Sequence, residues 1–179
     1  MVNETRKKIL DAALEEFAEN GYKGATIRVI AQKAGFTEMT LFRNFKNKKN
    51  LFSSVLIENN EKIMKEVPLI FVEKEFLNSK DFLETLIRNL LNLGKNNFEF
   101  IKVTINESSR IPGNFVAEFL NGISEYMEKN IQNKEMDYQI FAFSVLSFIY
   151  LLLSDYAYYS GDHEKAIEKF INNSVICIR

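Results

Sequence analysis

The chain has 179 residues, 46% hydrophobic and 26% charged, with a net charge of -1. This balance excludes disordered, collagen-like and disulfide-rich secreted classes and describes a soluble globular protein of one or two domains. Cys177 is the only cysteine, which excludes an intrachain disulfide and a cysteine-cluster metal site and points to a reducing, cytoplasmic setting.

Only Pro68, Pro112 and seven glycines punctuate the chain, so long helices are expected and hairpin-rich β folds lack their turn residues. In chain order, Leu10, Ala13, Leu14 and Phe17 recur at helical spacing within a first helix over about 3–20, and Gly21 supplies its stop. Acidic residues break this segment too often for an export signal. Thr26 is a candidate N-cap for a short helix that buries Ile27, Ile30, Ala31 and Ala34, and Gly35 ends it. Thr37 caps a second short helix, Glu38–Phe45, with Leu41 and Phe45 one turn apart. A longer helix begins near Lys48, with Phe52, Leu56, Ile63 and Val67 on one face, and Pro68 bends or ends it. After a connector at 73–80, helices are predicted over about 81–93, closed by Gly94, and over 97–107, ahead of the turn cluster at 108–113. Three more follow, over about 114–133, 137–159 and 164–178. Tyr138–Ser154 is uncharged, but its seventeen residues fall short of the roughly 20 a bilayer needs and include Gln139, Ser144 and Ser147. It reads as a helix covered on two sides, not as a membrane span.

Charge divides unevenly. Residues 1–52 carry ten Lys or Arg against six Asp or Glu, a net +4, and the remainder is correspondingly acidic. A basic tri-helical unit suits a nucleic-acid backbone. Within it, residues 26–45 have helix-turn-helix spacing. Small Ala31 permits close approach, Gly35 tolerates a positive φ at the corner, and Ile27, Ile30, Leu41 and Phe45 fill the angle. At about 1.5 Å per residue the second helix is about 12 Å long, the width of a B-DNA major groove.

On these residues the chain resembles the TetR family of transcriptional regulators. The resemblance is carried by Phe17-Ala18-Glu19-Asn20-Gly21-Tyr22, Thr26, Ile30-Ala31, Ala34-Gly35-Phe36-Thr37 and Thr40-Leu41-Phe42-Arg43-Asn44-Phe45, followed by Lys46 to Leu51. It implies an all-α fold: an N-terminal three-helix bundle with the helix-turn-helix at 1–47, then a larger helical ligand-binding and dimerisation domain at 48–179. It further implies a homodimer, formed through the helices near 137–159 and 164–178, that binds pseudo-palindromic double-stranded operator DNA. A small-molecule effector would release the DNA, and repression is the family's default.

Carried over by position, the resemblance makes Thr26 and Thr37 phosphate contacts at helix N-termini, Thr40 and Asn44 groove-facing readers, Arg43 a guanine or phosphate contact, and Lys48 a backbone clamp. Glu38, Met39 and Phe42 complete the candidate DNA-facing set. Three positions depart from the family pattern. Met39 replaces a small residue, Phe42 replaces a Tyr and so offers an apolar contact without a hydroxyl, and Asn44 stands where His is frequent. The operator sequence therefore does not follow from the resemblance.

Eleven of sixteen Phe lie after residue 52. Phe98, Ile101, Phe115, Phe119, Tyr126, Phe141 and Phe148 are candidate walls for a mostly apolar or aromatic ligand, and packed core is the competing reading. An enzyme is not expected. His163 and Cys177 have no sequence-local partners, no glycine-rich phosphate loop occurs, and Glu107 with Arg110 is a pair that helix surfaces supply routinely. No cofactor is expected. The alternative from another class is a helix-turn-helix protein that binds a protein partner instead of DNA.

Overall fold

A computed structural model describes residues 2–111, 115–131, 133–154 and 162–178. Its regular elements are helices: α1 Val2–Gly24, α2 Ile27–Ala34, α3 Glu38–Phe45, α4 Lys48–Glu66, α5 Ser79–Asn96, α6 Phe98–Asn106, α7 Phe115–Ile131, α8 Tyr138–Leu153 and α9 His163–Ile178, with single 3-10 turns at Val67–Leu69 and Ser108–Arg110. The all-α expectation is met among these residues. Residues 112–113 of the expected turn, the expected helix start at 114 and the expected helix at 155–159 lie outside the described residues, as do the side chains of Cys177 and Ile178.

The contacts form two compact units, Met1–Lys65 with Asn97–Pro112, and Glu66–Asn96 with Gly113–Arg179. The first therefore holds α1, α2, α3, nearly all of α4, and α6. Its core gathers Ile9, Leu10, Ala13 and Phe17 of α1, Ile30 and Ala31 of α2, Leu41 and Phe45 of α3, Leu51, Phe52 and Val55 of α4, and Val103 of α6. Phe52 meets Phe17 edge-on at 4.9 Å, an arrangement that suits the ring quadrupoles. The buried face of α4 holds Phe52 and Ile63 as expected, with Leu51 and Val55 beside them, while Leu56 is only half-buried and Val67 lies beyond the helix, also half-buried.

Helix α1 is assigned through Gly24, but its regular path breaks at Gly21, which has φ 66° and ψ 173°. Gly21 does act as the stop; a further turn follows it. Gly35 caps α2 at φ 75°, with the Phe36 N–H donating to the Ala31 carbonyl. Between α3 and α4, Lys46 has φ 66° and ψ -43°, and the Asn47 N–H donates to the Phe45 carbonyl at 2.8 Å, which makes a strained γ-turn centred on a non-glycine residue.

In the second unit α5 packs against α7, α8 and α9, and α7 packs against α8. Phe82, Leu83, Leu86, Ile87 and Leu90 form the buried side of α5. The expected stop at Gly94 is corrected: α5 continues to Asn96, and Gly94 is buried inside it. A Cβ added at Gly94 would run into the Leu153 side chain of α8, so this glycine marks a close approach of helices and not a helix end. Asp137 caps α8 by accepting from the N–H groups of Gln139 and Ile140. One side of α8 buries Ala142, Val145, Ile149 and Leu152, while Ile140, Phe143 and Leu151 are exposed on the other. No helix among the described residues is long and apolar enough to cross a membrane.

Candidate nucleic-acid interface

The helix-turn-helix is built by local hydrogen bonds. Thr26 Oγ1 accepts from the Val29 N–H at 3.2 Å and starts α2. Thr37 Oγ1 accepts from the Thr40 N–H at 3.3 Å and starts α3. Both threonines are exposed, so the first-turn amides of two short helices face outward beside them. Leu41 and Phe45 anchor α3 in the core, which turns Met39 and Arg43 away from it. Met39 is 78% exposed and Phe42 46%. Glu38 and Arg43 are exposed as well, and Thr40 and Asn44 are half-buried.

The polar side chains on this face are partly engaged with α3 itself. The Thr37 and Thr40 hydroxyl oxygens lie 3.1 Å apart, and the Asn44 amide N–H donates to the Thr40 carbonyl at 2.8 Å. Lys48 is directed at the protein. Its ammonium donates to the Ala25 carbonyl at 2.5 Å, approaches the Lys23 carbonyl at 3.5 Å and lies 4.8 Å from the Tyr22 ring centroid. Burial, and then the nearby Arg110 charge, hold its pKa below the ordinary lysine value. Thus Thr26, Thr37, Glu38, Met39, Phe42 and Arg43 are set on exposed surface of the first unit, whereas Lys48 closes the corner between α1 and α4.

Sequence reasoning passed over the groups that brace this surface. Lys33 of α2 pairs with Glu16 at 2.9 Å and Glu19 at 2.6 Å on α1, and the Glu16 carboxylate is buried. Arg6 meets Glu58 at 3.1 Å and stands 5.2 Å from the Phe45 ring. At the C-terminal end of α6, Glu107 accepts from the Tyr22 N–H at 2.8 Å and pairs with Arg110 at 2.8 Å, and Arg110 also lies 4.9 Å from the Tyr22 ring. The Glu107–Arg110 spacing was visible in the sequence, but its partner stands 85 residues away, beyond any local pattern. Arg28, Lys46 and Lys49 add exposed positive charge on α2 and at the α3–α4 corner.

The candidate ligand residues divide between the units. Phe98 and Ile101 are half-buried on α6 in the first, with the Lys102 ammonium 5.6 Å from the Phe98 ring. In the second, Phe115 and Phe119 stack at 6.1 Å, and Phe148 stacks on Phe170 at 4.1 Å and 7°. Tyr126 lies against Phe71 and Phe82, and its hydroxyl donates to the Val72 carbonyl at 2.8 Å. Desolvation raises the Tyr126 pKa. Phe141 is half-buried on α8. Among the described residues, no group of three or more His, Cys, Asp or Glu is placed to hold a metal ion.

The sequence pattern of the bacterial regulatory proteins of the tetR family matches residues 9–55. The chain is 45% identical over 56 residues to the uncharacterized HTH-type transcriptional regulator YvkB of Bacillus subtilis strain 168, an alignment covering 31% of this chain and 30% of that one. It is 40% identical over 58 residues to the class D tetracycline repressor protein of Escherichia coli, covering 32% and 27%. The aligned part is therefore about 30% of the length of these curated relatives. The fold extends further. The structure of AibR in complex with isovaleryl coenzyme A and operator DNA superimposes with a TM-score of 0.69 and 16% identity, over 93% of this chain and 96% of that one. Residues 9–55 therefore carry the helix-turn-helix segment of the tetR family of bacterial regulatory proteins, and the succession of helices that follows shares its fold with AibR.

Proposed function

We propose that the protein is a ligand-responsive DNA-binding transcriptional regulator, a repressor that grips a pseudo-palindromic operator as a homodimer and leaves it when a small, mostly apolar or aromatic effector binds. The observation that carries this reading is α3, held rigidly through Leu41 and Phe45 while its opposite face stands in solvent within a basic segment. Residues 1–47 serve as the DNA-binding domain and 48–179 as the ligand-binding and dimerisation domain. Thr26 and Thr37 contact phosphates beside the outward amides, Glu38, Met39, Thr40, Phe42, Arg43 and Asn44 meet the groove, and Lys48 reaches phosphate with the N–H that its carbonyl partners leave over.

The exposed Ile140, Phe143 and Leu151 of α8 and Ile176 of α9 support pairing through the helices near 137–159 and 164–178, since a symmetry mate would cover an apolar face. Such pairing sets two α3 helices on successive major grooves, about 34–36 Å apart. The aromatic residues at 98, 115, 119, 126, 141 and 148, with Ile101, are the ligand candidates. Members of the family are in general non-enzymatic, and a cytoplasmic location suits a DNA-bound regulator.

The test is duplex binding against salt. For about six to eight phosphates neutralised by a dimer, log K should fall against log salt with a slope of roughly -5 to -7. A flat response would favour the protein-partner reading.

A further inference from the structure

The surface that α3 offers is more apolar than its sequence suggests. Of the polar side chains along it, Thr40 faces the capping Thr37 at 3.1 Å and Asn44 donates back to the Thr40 carbonyl at 2.8 Å, while Glu38 and Arg43 stay exposed. Bidentate reading of adenine by Asn44 competes with that bond. The large apolar side chains that α3 exposes are Met39 and Phe42, at 78% and 46% exposure. They are three residues apart, hence neighbours on one helix face, and their axial offset of about 4.5 Å compares with a base-pair rise of about 3.4 Å. An apolar pair in this place gains nothing from phosphates. The apolar feature of the major groove is the thymine 5-methyl group.

Resting on the DNA-binding reading above, we propose that Met39 and Phe42 are specificity-determining residues, which read thymine methyl groups on neighbouring base pairs of each operator half-site. Phosphate contacts around α2 and the α3–α4 corner set the register, and the methyl contacts choose the sequence. Met39 is the sharper reader, because it projects opposite the buried Leu41 and its unbranched thioether adapts to the groove. Two adjacent methyls per half-site, repeated by symmetry, distinguish such an operator from any G·C-rich competitor.

The experiment selects bound duplexes from a random pool with the full chain, then replaces single thymines of the selected site by deoxyuridine. This removes one methyl and leaves pairing and phosphates intact. Burial of one methyl corresponds to about a fourfold affinity change, so symmetric replacement in both half-sites should weaken binding by about tenfold or more, with the salt slope unchanged. In Met39→Ala, whose side chain is too exposed to hold the fold, one of the two sensitive thymines should become indifferent to deoxyuridine. Phe42→Ala should silence the other. Salt-dependent binding with equal affinity for thymine and deoxyuridine duplexes would overturn the methyl reading and leave DNA binding standing. Failure to select any duplex, with no salt-dependent binding, would overturn both.

Discussion

The carboxylate of Glu107, at the end of α6, accepts a 2.8 Å hydrogen bond from the backbone N–H of Tyr22, at the break in α1. The adjacent Gly21 has φ 66° and ψ 173°, a conformation essentially confined to glycine, and a Cβ there would stand 3.0 Å from Glu107 Oε1. An amide freed by the helix break thus finds its acceptor on a distant helix. Gly21→Ala is expected to cost about 2 kcal/mol or more through strain and displacement of the carboxylate. Glu107→Ala should cost about 1–2 kcal/mol, because the Tyr22 amide loses its acceptor. Urea unfolding of both variants and the double variant checks this: both act on one contact, so their effects should sum to less than the separate losses.

Lys33 ties α2 to α1 through two carboxylates. Its hydrogen bond lowers the Glu19 pKa from an ordinary 4.5, and the hydrogen bonds to Glu19 and then Glu16 raise that of Lys33 from 10.5. A depressed carboxylate adds stability above its unfolded value that is lost as pH falls through the folded one. A raised ammonium adds stability below its unfolded value that is lost as pH rises through the folded one. The melting temperature of the wild type should therefore drop below pH 4.5 and above pH 10.5, and Lys33→Met should flatten both limbs. Parallel pH profiles for the two proteins would refute the pairing.

Lys46 holds a positive φ at the centre of the γ-turn joining α3 to α4. Glycine relieves the strain but makes the unfolded chain more flexible, and of these two opposing effects the strain, at about 1–3 kcal/mol, outweighs the added flexibility. Lys46→Gly is expected to stabilise the protein by about 1 kcal/mol in denaturant titration while weakening duplex binding through the lost charge. Destabilisation would show that the turn is not strained.

Phe143 of α8 is 63% exposed beside Ile140 and Leu151. Phe143→Lys should convert dimer to monomer in sedimentation equilibrium and reduce operator affinity at least a hundredfold, with helical content retained. A stable dimer in the variant would place the interface elsewhere.

What the sequence determined by itself was local. The bounds of α3 were legible because Thr37 caps through an amide three residues on, and the α2 corner because Gly35 needs only its own φ. The amphipathic face of α5 followed from helical spacing, since Leu83, Leu86, Ile87 and Leu90 obey one period. Tertiary structure decided whatever depends on a neighbour remote in the chain. Local rules end a helix at Gly94, yet α5 runs on to Asn96, and the glycine instead serves a close approach in which the Leu153 side chain occupies the space that a Cβ would take. A lysine at a helix start reads as a phosphate clamp, and only the fold reveals that the Lys48 ammonium also meets the carbonyls of Ala25 and Lys23 where α1 ends. Glu107 and Arg110 read as a routine surface pair until Tyr22 is brought against them. Caps and periodicity involve atoms a few bonds apart and are written into short stretches of chain. The destination of a charged side chain depends on which distant backbone groups the fold leaves without partners.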